Sequence, residues 1–141
     1  MDTGVYRIID ANLNRVMEGI RVSEDIVRFS ADNVSLTRKL KDLRHDVFNA
    51  IKSLRNAHLD ELVSSRNTSS DVGTKSTDSE KKRDNLTDLF LANMQRGKES
   101  LRVLEEVLKL FNTELSQKFK EFRFRLYEIE KQAVKNFEEE K

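Results

Sequence analysis

Apolar residues recur at three- and four-residue steps along four stretches of the chain, the spacing that lines one face of an α-helix. The first stretch runs from about Val5 to Phe29. The second starts after Asn33 or Ser35, both good N-caps, and runs to about His58 with the stripe Leu36, Leu40, Leu43, Val47, Ile51 and Leu54. The third starts near Asn85 and runs to about Phe111. The fourth starts after Asn112 or Thr113 and carries Leu115, Phe119, Phe122, Leu126, Ile129, Ala133 and Phe137. The links at residues 30–35 and 112–114 are short, which predicts two antiparallel hairpins. Between them, residues 64–85 read SSRNTSSDVGTKSTDSEKKRDN; nine of these 22 are Ser or Thr and Val72 is the one aliphatic residue, so this is a long polar connection of the kind that is either disordered or functional. No alternating apolar–polar run bounded by turn residues predicts a strand.

Composition sharpens this pattern. Proline is absent from all 141 residues, and an interior proline costs a helix about 3 kcal/mol, so the chain is compatible with long unbroken helices. The length fits one domain, residues 1–141, divided into repeat A (about 5–58), the loop 64–85 and repeat B (about 86–139). With 26 Lys or Arg against 25 Asp or Glu, the net charge of +1 gives no electrostatic case for nucleic acid. No run of 18 apolar residues spans a membrane, and no secretory leader is visible in MDTGVYRIID. Zero cysteines exclude disulfides, thiolate metal sites and a cysteine nucleophile. A cytoplasmic protein is the expectation, and the sequence is compatible with a homodimer.

The two halves align. Residues 11–29, ANLNRVMEGIRVSEDIVRF, match 92–110, ANMQRGKESLRVLEEVLKL, with seven identities in 19 pairs: Ala11/Ala92, Asn12/Asn93, Arg15/Arg96, Glu18/Glu99, Arg21/Arg102, Val22/Val103 and Glu24/Glu105. The second and fourth stretches align as LTRKLKDLRHDVF and LSQKFKEFRFRLY, with Arg44 on Arg123. The expected fold is all-α, a four-helix bundle made of two duplicated hairpins about an approximate two-fold axis, because one hairpin alone leaves its apolar face in water.

Helical geometry then orients the polar residues. With Asn12 at 0° and about 100° per residue, Ile8, Ala11, Val22, Ile26 and Phe29 fall at roughly 260–320°, and Ile9, Leu13, Val16, Ile20 and Val27 at roughly 40–100°. Asn12 and Arg15 are therefore expected inside an apolar arc, with Asn93 and Arg96 repeating them, while Glu24 falls on the solvent side. A buried arginine must find acceptors. Glu18 and Glu99, three residues on, could supply them as internal salt bridges; alternatively the spare guanidinium donors form an anion pocket for phosphate. Arg44 and Arg123 flank their own stripes.

Other constellations are weaker. No Glu-x-x-His motif exists for a di-iron bundle, and His45 is expected on a solvated face. GTKST at 73–77 lacks the glycines and the preceding strand of a phosphate-binding loop. The acidic doublets Glu24-Asp25 and Glu105-Glu106 could bind magnesium but read first as solvated faces. In the long connection Arg66, Asp71 and Gly73 suit a lid: a charge, a magnesium-competent carboxylate and a flexible backbone.

Taken together, DANLNRVMEGIRVSEDIVRF, LKDLRH, SRNTSSDVGT, ANMQRGKESLRVLEE and FKEFRFRLYEIEK resemble the small all-helical hydroxymethylpyrimidine-phosphate kinases, often fused ahead of thiamine-phosphate synthase. The resemblance covers roughly Tyr6 to Glu130; Asn67 departs from it, standing where an acidic residue is expected. It implies phosphorylation of 4-amino-5-hydroxymethyl-2-methylpyrimidine phosphate by magnesium-ATP in thiamine biosynthesis, with a functional link to the synthase. On that reading Arg15, Arg96 and Arg66 are the candidate catalytic residues. Asn12, Asn93, Arg44, Arg123 and Gly73 would bind substrate, and Glu18, Glu99 and Asp71 would hold magnesium. One repeat would handle the substrate phosphate and the other the nucleotide. Two rival classes stay open: a non-catalytic helical docking module, and an all-helical magnesium-dependent nucleotide pyrophosphohydrolase.

Overall fold

A computed structural model describes residues 3–140, apart from the side chain of Ser79. Among the described residues the fold is all-helical, without a strand. The long helices are α1 (Thr3–Asp25), α2 (Val34–Ala57), α5 (Leu86–Leu108) and α6 (Thr113–Glu139), joined by the short α3 (Leu59–Ser64) and α4 (Asp78–Lys81). Three starts fall on an asparagine whose side-chain oxygen accepts backbone N–H groups left orphaned by helical geometry. Asn33 takes Leu36 at 2.9 Å, Asn85 takes Asp88 at 2.8 Å, and Asn112 takes Glu114 at 2.9 Å and Leu115 at 3.1 Å.

The end of α1 differs from expectation. Instead of running on regularly to Phe29, the helix widens into a π-turn over Ile26–Ser30, where Ala31 N–H reaches back to the Ile26 carbonyl. Asp32 then adopts φ 49°, a left-handed conformation that aspartate tolerates, and the chain reverses into α2.

α1 packs along α5 and α2 along α6, both antiparallel. Gly19 on α1 lies against Asn93 and Gly97 on α5, while Ile26 shares a depression with Leu86 and Thr87. Lys39 donates to Gln132 at 2.7 Å and Arg125 to Asp46 at 2.8 Å between α2 and α6. The stripes read from the sequence fill the space between: Leu40, Leu43, Val47, Ile51, Phe119 and Leu126 are fully buried. Each such side chain contributes about 1.5–3 kcal/mol of hydrophobic stabilisation.

α1 buries fully one of its two apolar arcs, the one holding Ile9, Leu13, Val16, Ile20 and Val27, and the other only in part, through Ile26. Ile8 and Phe29 on the other arc are 42% and 66% exposed. That shift reverses two expectations. Arg15 and Arg96 are exposed rather than inside the core, whereas Asn12 is buried as expected. Glu24 is 1% exposed and Glu105 3%, because the adjoining side of each helix faces its hairpin partner. Internal Arg–Glu pairs do exist, but between other residues. Arg44 Nε donates to Glu24 at 3.0 Å, and Arg123 Nη2 to Glu105 at 3.2 Å. Arg21 and Arg102, three residues before each carboxylate, add a second guanidinium at 3.6 and 2.9 Å. Both acidic doublets thus contribute one buried, arginine-bound carboxylate rather than a solvated pair.

Gly19 marks the tightest approach: a Cβ there would stand 2.8 Å from the Asn93 carbonyl oxygen, which belongs to backbone. At Gly97 the nearest atom is the Leu126 side-chain terminus at 3.0 Å, which can turn away. Ala favours helix over Gly by about 1 kcal/mol, whereas overpacking costs about 1–3 kcal/mol. Gly19→Ala is therefore expected to lower the melting temperature and Gly97→Ala to leave it nearly unchanged, read by thermal unfolding; equal effects would show that α1 and α5 do not meet at Gly19. Truncating one partner of a buried pair costs about 3–5 kcal/mol, because the other charge is stranded. Glu24→Ala should lose stability on that scale in urea unfolding, and Arg44→Met added to it should recover most of the loss.

Candidate functional site

The uncovered arc of α1 becomes a wall of a cleft once the chain beyond α3 returns to it. Leu62 on α3 is 2% exposed and anchors that return. Ser65, also buried, donates its hydroxyl to the Leu62 carbonyl at 2.7 Å and turns the chain. Arg66 then meets Asp10 on α1 edge-on, Nε to Oδ2 at 2.7 Å and Nη2 to Oδ1 at 2.9 Å. The hydrogen bond from Asp10, and secondly its charge, raise the Arg66 guanidinium above its ordinary value, so this arginine is held protonated. Beyond it, asparagine and aspartate side chains shape the turns. Asn67 Oδ1 accepts Ser70 N–H at 3.2 Å, and Asp71 Oδ1 accepts Gly73 N–H at 2.8 Å.

The resulting open cleft measures about 770 Å³, within the range of small-molecule sites. Ile8 and Ala11 give it an apolar strip; Asn12, Arg15, Glu18, Arg66 and Asp71 give it polar groups. Five residues singled out by the sequence, from α1 and from a segment more than 45 positions away, thus line one cavity. Arg7, Asp10 and Asn14 also line it, and the sequence did not single them out. Asp10 reads as a solvated residue on a helical wheel; nothing local signals that a loop folds over it.

Within the cleft Asn12 spends its amide on the Ile8 carbonyl at 2.8 Å and accepts from Arg15 Nη1 at 3.4 Å. Asn93 repeats the first contact on Leu89, also at 2.8 Å. Glu18 and Asp71 are the two expected magnesium ligands that share the cleft. Magnesium is commonly bound through one or two carboxylates plus substrate phosphates and waters, and this pair fits that habit. Among the described residues no cluster of three or more His, Asp or Glu forms an all-protein metal cage.

The other candidate residues lie elsewhere. Arg44 and Arg123 are bound to Glu24 and Glu105 at the hairpin interfaces. Glu99 accepts from Gln95 at 2.9 Å and, with Arg123, lines a separate depression beside Lys98 and Tyr127. Gly73 is exposed and outside the cleft lining. Arg96 is not in the cleft either, but the antiparallel register constrains it. Gly19 lies between the levels of Asn93 and Gly97, so four residues back along α1 Arg15 is level with the stretch Gly97–Leu101, beyond Arg96. The charge of Arg96 also reaches Glu80 on α4, whose carboxyl is lowered chiefly by the Thr77 hydroxyl hydrogen bond. The long connection therefore passes from Asp10 on α1 to the neighbourhood of Arg96 on α5.

The cleft thus combines guanidinium and amide donors, three carboxylates and an apolar strip. A thiamine-phosphate synthase of Thermosynechococcus vestitus is 40% identical over 131 residues, covering 92% of this chain and 35% of that protein. One from Nostoc sp. is 40% identical over 127 residues, 89% of this chain and 34% of that protein. One from Rhodopirellula baltica is 39% identical over 124 residues, 87% and 32%. The chain spans about a third of the length of these curated relatives. No solved structure matches it significantly. Residues 7–132 match the ThiD2 family, and the chain belongs to that family.

Proposed function

We propose that this chain works in thiamine biosynthesis as a kinase that converts 4-amino-5-hydroxymethyl-2-methylpyrimidine phosphate to the diphosphate, with magnesium-ATP as donor. Membership of the ThiD2 family and relatives named thiamine-phosphate synthase support the pathway. The observation that carries the reaction class is the cleft, in which Asn12, Arg15 and Glu18 of α1 meet Arg66 and Asp71 of the connection. On this reading the fold is a four-helix bundle of two duplicated hairpins, supported by the recurrence of the arginine-bound carboxylate and of the asparagine contact in both halves.

Phosphoryl transfer needs positioning and compensation of charge more than covalent help from the protein. An oxygen of the pyrimidine's phosphate attacks the γ-phosphorus of ATP. The new P–O bond forms as the bond to the β,γ-bridging oxygen breaks, and ADP leaves with that electron pair. Arg15 and Arg66 hold the phosphate oxygens and neutralise the charge that spreads over them. The apolar strip of Ile8 and Ala11 receives the pyrimidine ring. Glu18 and Asp71 would hold magnesium, which neutralises phosphate charge when bound. Arg96, on the second repeat and near the far end of the connection, would carry the nucleotide.

Two measurements test this. Thermal shift with magnesium-ATP, and separately with the pyrimidine phosphate, should raise the melting temperature; a hundredfold excess over Kd stabilises by about 2.7 kcal/mol. A coupled ADP assay should detect turnover, with Arg15→Ala and Arg66→Ala each losing about 10²–10³-fold, the scale for an oriented donor at developing charge. Pyrophosphate release instead of ADP would favour a pyrophosphohydrolase, and no shift with either ligand would favour a docking module.

A further inference from the structure

We propose that Asp10 is a positioning residue for the cleft: it grips one edge of the Arg66 guanidinium and so presents the opposite edge to a phosphate. This rests on the kinase reading for its reaction but on geometry for its existence. A guanidinium has five N–H donors arranged as two bidentate edges. Asp10 occupies the Nε/Nη2 edge at 2.7 and 2.9 Å, which leaves the Nη1/Nη2 edge for an anion. Arg66 lines the same cleft as Arg15, and the proposal turns that free edge toward it.

Burial makes the carboxylate a fixed point. Asp10 is 8% exposed as a residue, whereas the Arg66 side chain is 48% exposed. Asp10 is itself held, since Asn14 donates its amide to the Asp10 carbonyl at 3.0 Å and more weakly to Oδ1 at 3.4 Å. A half-exposed arginine thus takes its orientation from a carboxylate mounted on a long helix. Without that contact, Arg66 would sample many rotamers and lose its aim in a loop that has few other anchors.

The internal alignment gives an independent argument. Asp10 falls on Leu91 in the second repeat, which cannot bind a guanidinium. The contacts shared by both halves, Glu24–Arg44 and Glu105–Arg123, join helices of one hairpin. The Asp10–Arg66 contact is instead confined to one half and ties the connection to α1 over the cleft. It is where the repeat is broken in favour of one cavity, so the α1 side is assigned the phosphate that must be clamped.

The test uses Asp10→Asn, Asp10→Glu, Arg66→Lys and the double variant Asp10→Asn/Arg66→Lys. With the pyrimidine phosphate and magnesium-ATP, Asp10→Asn should lower kcat about 10–100-fold, typical of a residue that orients a ligand-binding group, while KM for the nucleotide moves much less. Asp10→Glu should restore part of the loss. Asp10→Asn should add little in the Arg66→Lys background, because it acts through that guanidinium. Wild-type turnover by Asp10→Asn, or full additivity in the double variant, would overturn the proposal. If the wild-type protein makes no ADP, the kinase reading fails, and calorimetry with inorganic pyrophosphate still decides this one. Pyrophosphate binding weakened about tenfold or more in Asp10→Asn, at unchanged melting temperature, supports the clamp; unchanged affinity overturns it.

Discussion

Two buried carboxylates organise this molecule. Glu24 and Glu105 lie in almost complete exclusion from water, and each is met by an arginine from the second helix of its own hairpin. A carboxylate taken out of water is tolerated only where cations and donors replace its hydration. Each hairpin can close in the register that joins Glu24 to Arg44, or Glu105 to Arg123, and any slip strands a charge. The apolar stripes supply most of the driving force and are permissive about register; the ion pairs are not.

The second constraint is the absence of a side chain at Gly19. It lets α1 and α5 approach until the Gly19 Cα side faces the Asn93 carbonyl. Arg15 and Arg96, on the two helices that meet there, are both exposed. An exposed arginine on a helix is unremarkable by itself. It becomes part of a site because α3, anchored through Leu62, sends the chain back across α1 and lays Arg66 and Asp71 over the same surface. The cleft is thus built on α1 on one side and, on the other, on the connection tied to α1 by the Arg66–Asp10 pair.

The repeat also explains why residues of one type have different work. Arginines matched by the alignment separate into those that close hairpins, Arg44 and Arg123, and those that remain on the surface, Arg15 and Arg96. Residues not matched by it, Asp10 and Arg66, mark the half that carries the cleft. The matched pairs recur in both halves, and the unmatched Asp10–Arg66 contact lies at the cleft.

Much of this was legible along the chain. The four helices, their asparagine caps and the core stripes on α2 and α6 follow from three- and four-residue spacing and local capping, which depend on near neighbours alone. The polar loop and the pairing of Asn12 with Asn93 and Arg15 with Arg96 are visible by alignment. The helical wheel nevertheless misassigned Glu24 and Arg15, because α1 has two apolar arcs and a wheel cannot say which one a neighbour covers. Asp10 was invisible for the same reason: its partner Arg66 is 56 residues away. Periodicity and capping are short-range and therefore belong to the sequence; which face of a helix is buried, and which carboxylate meets which guanidinium, is settled only when distant segments compete for the same surface.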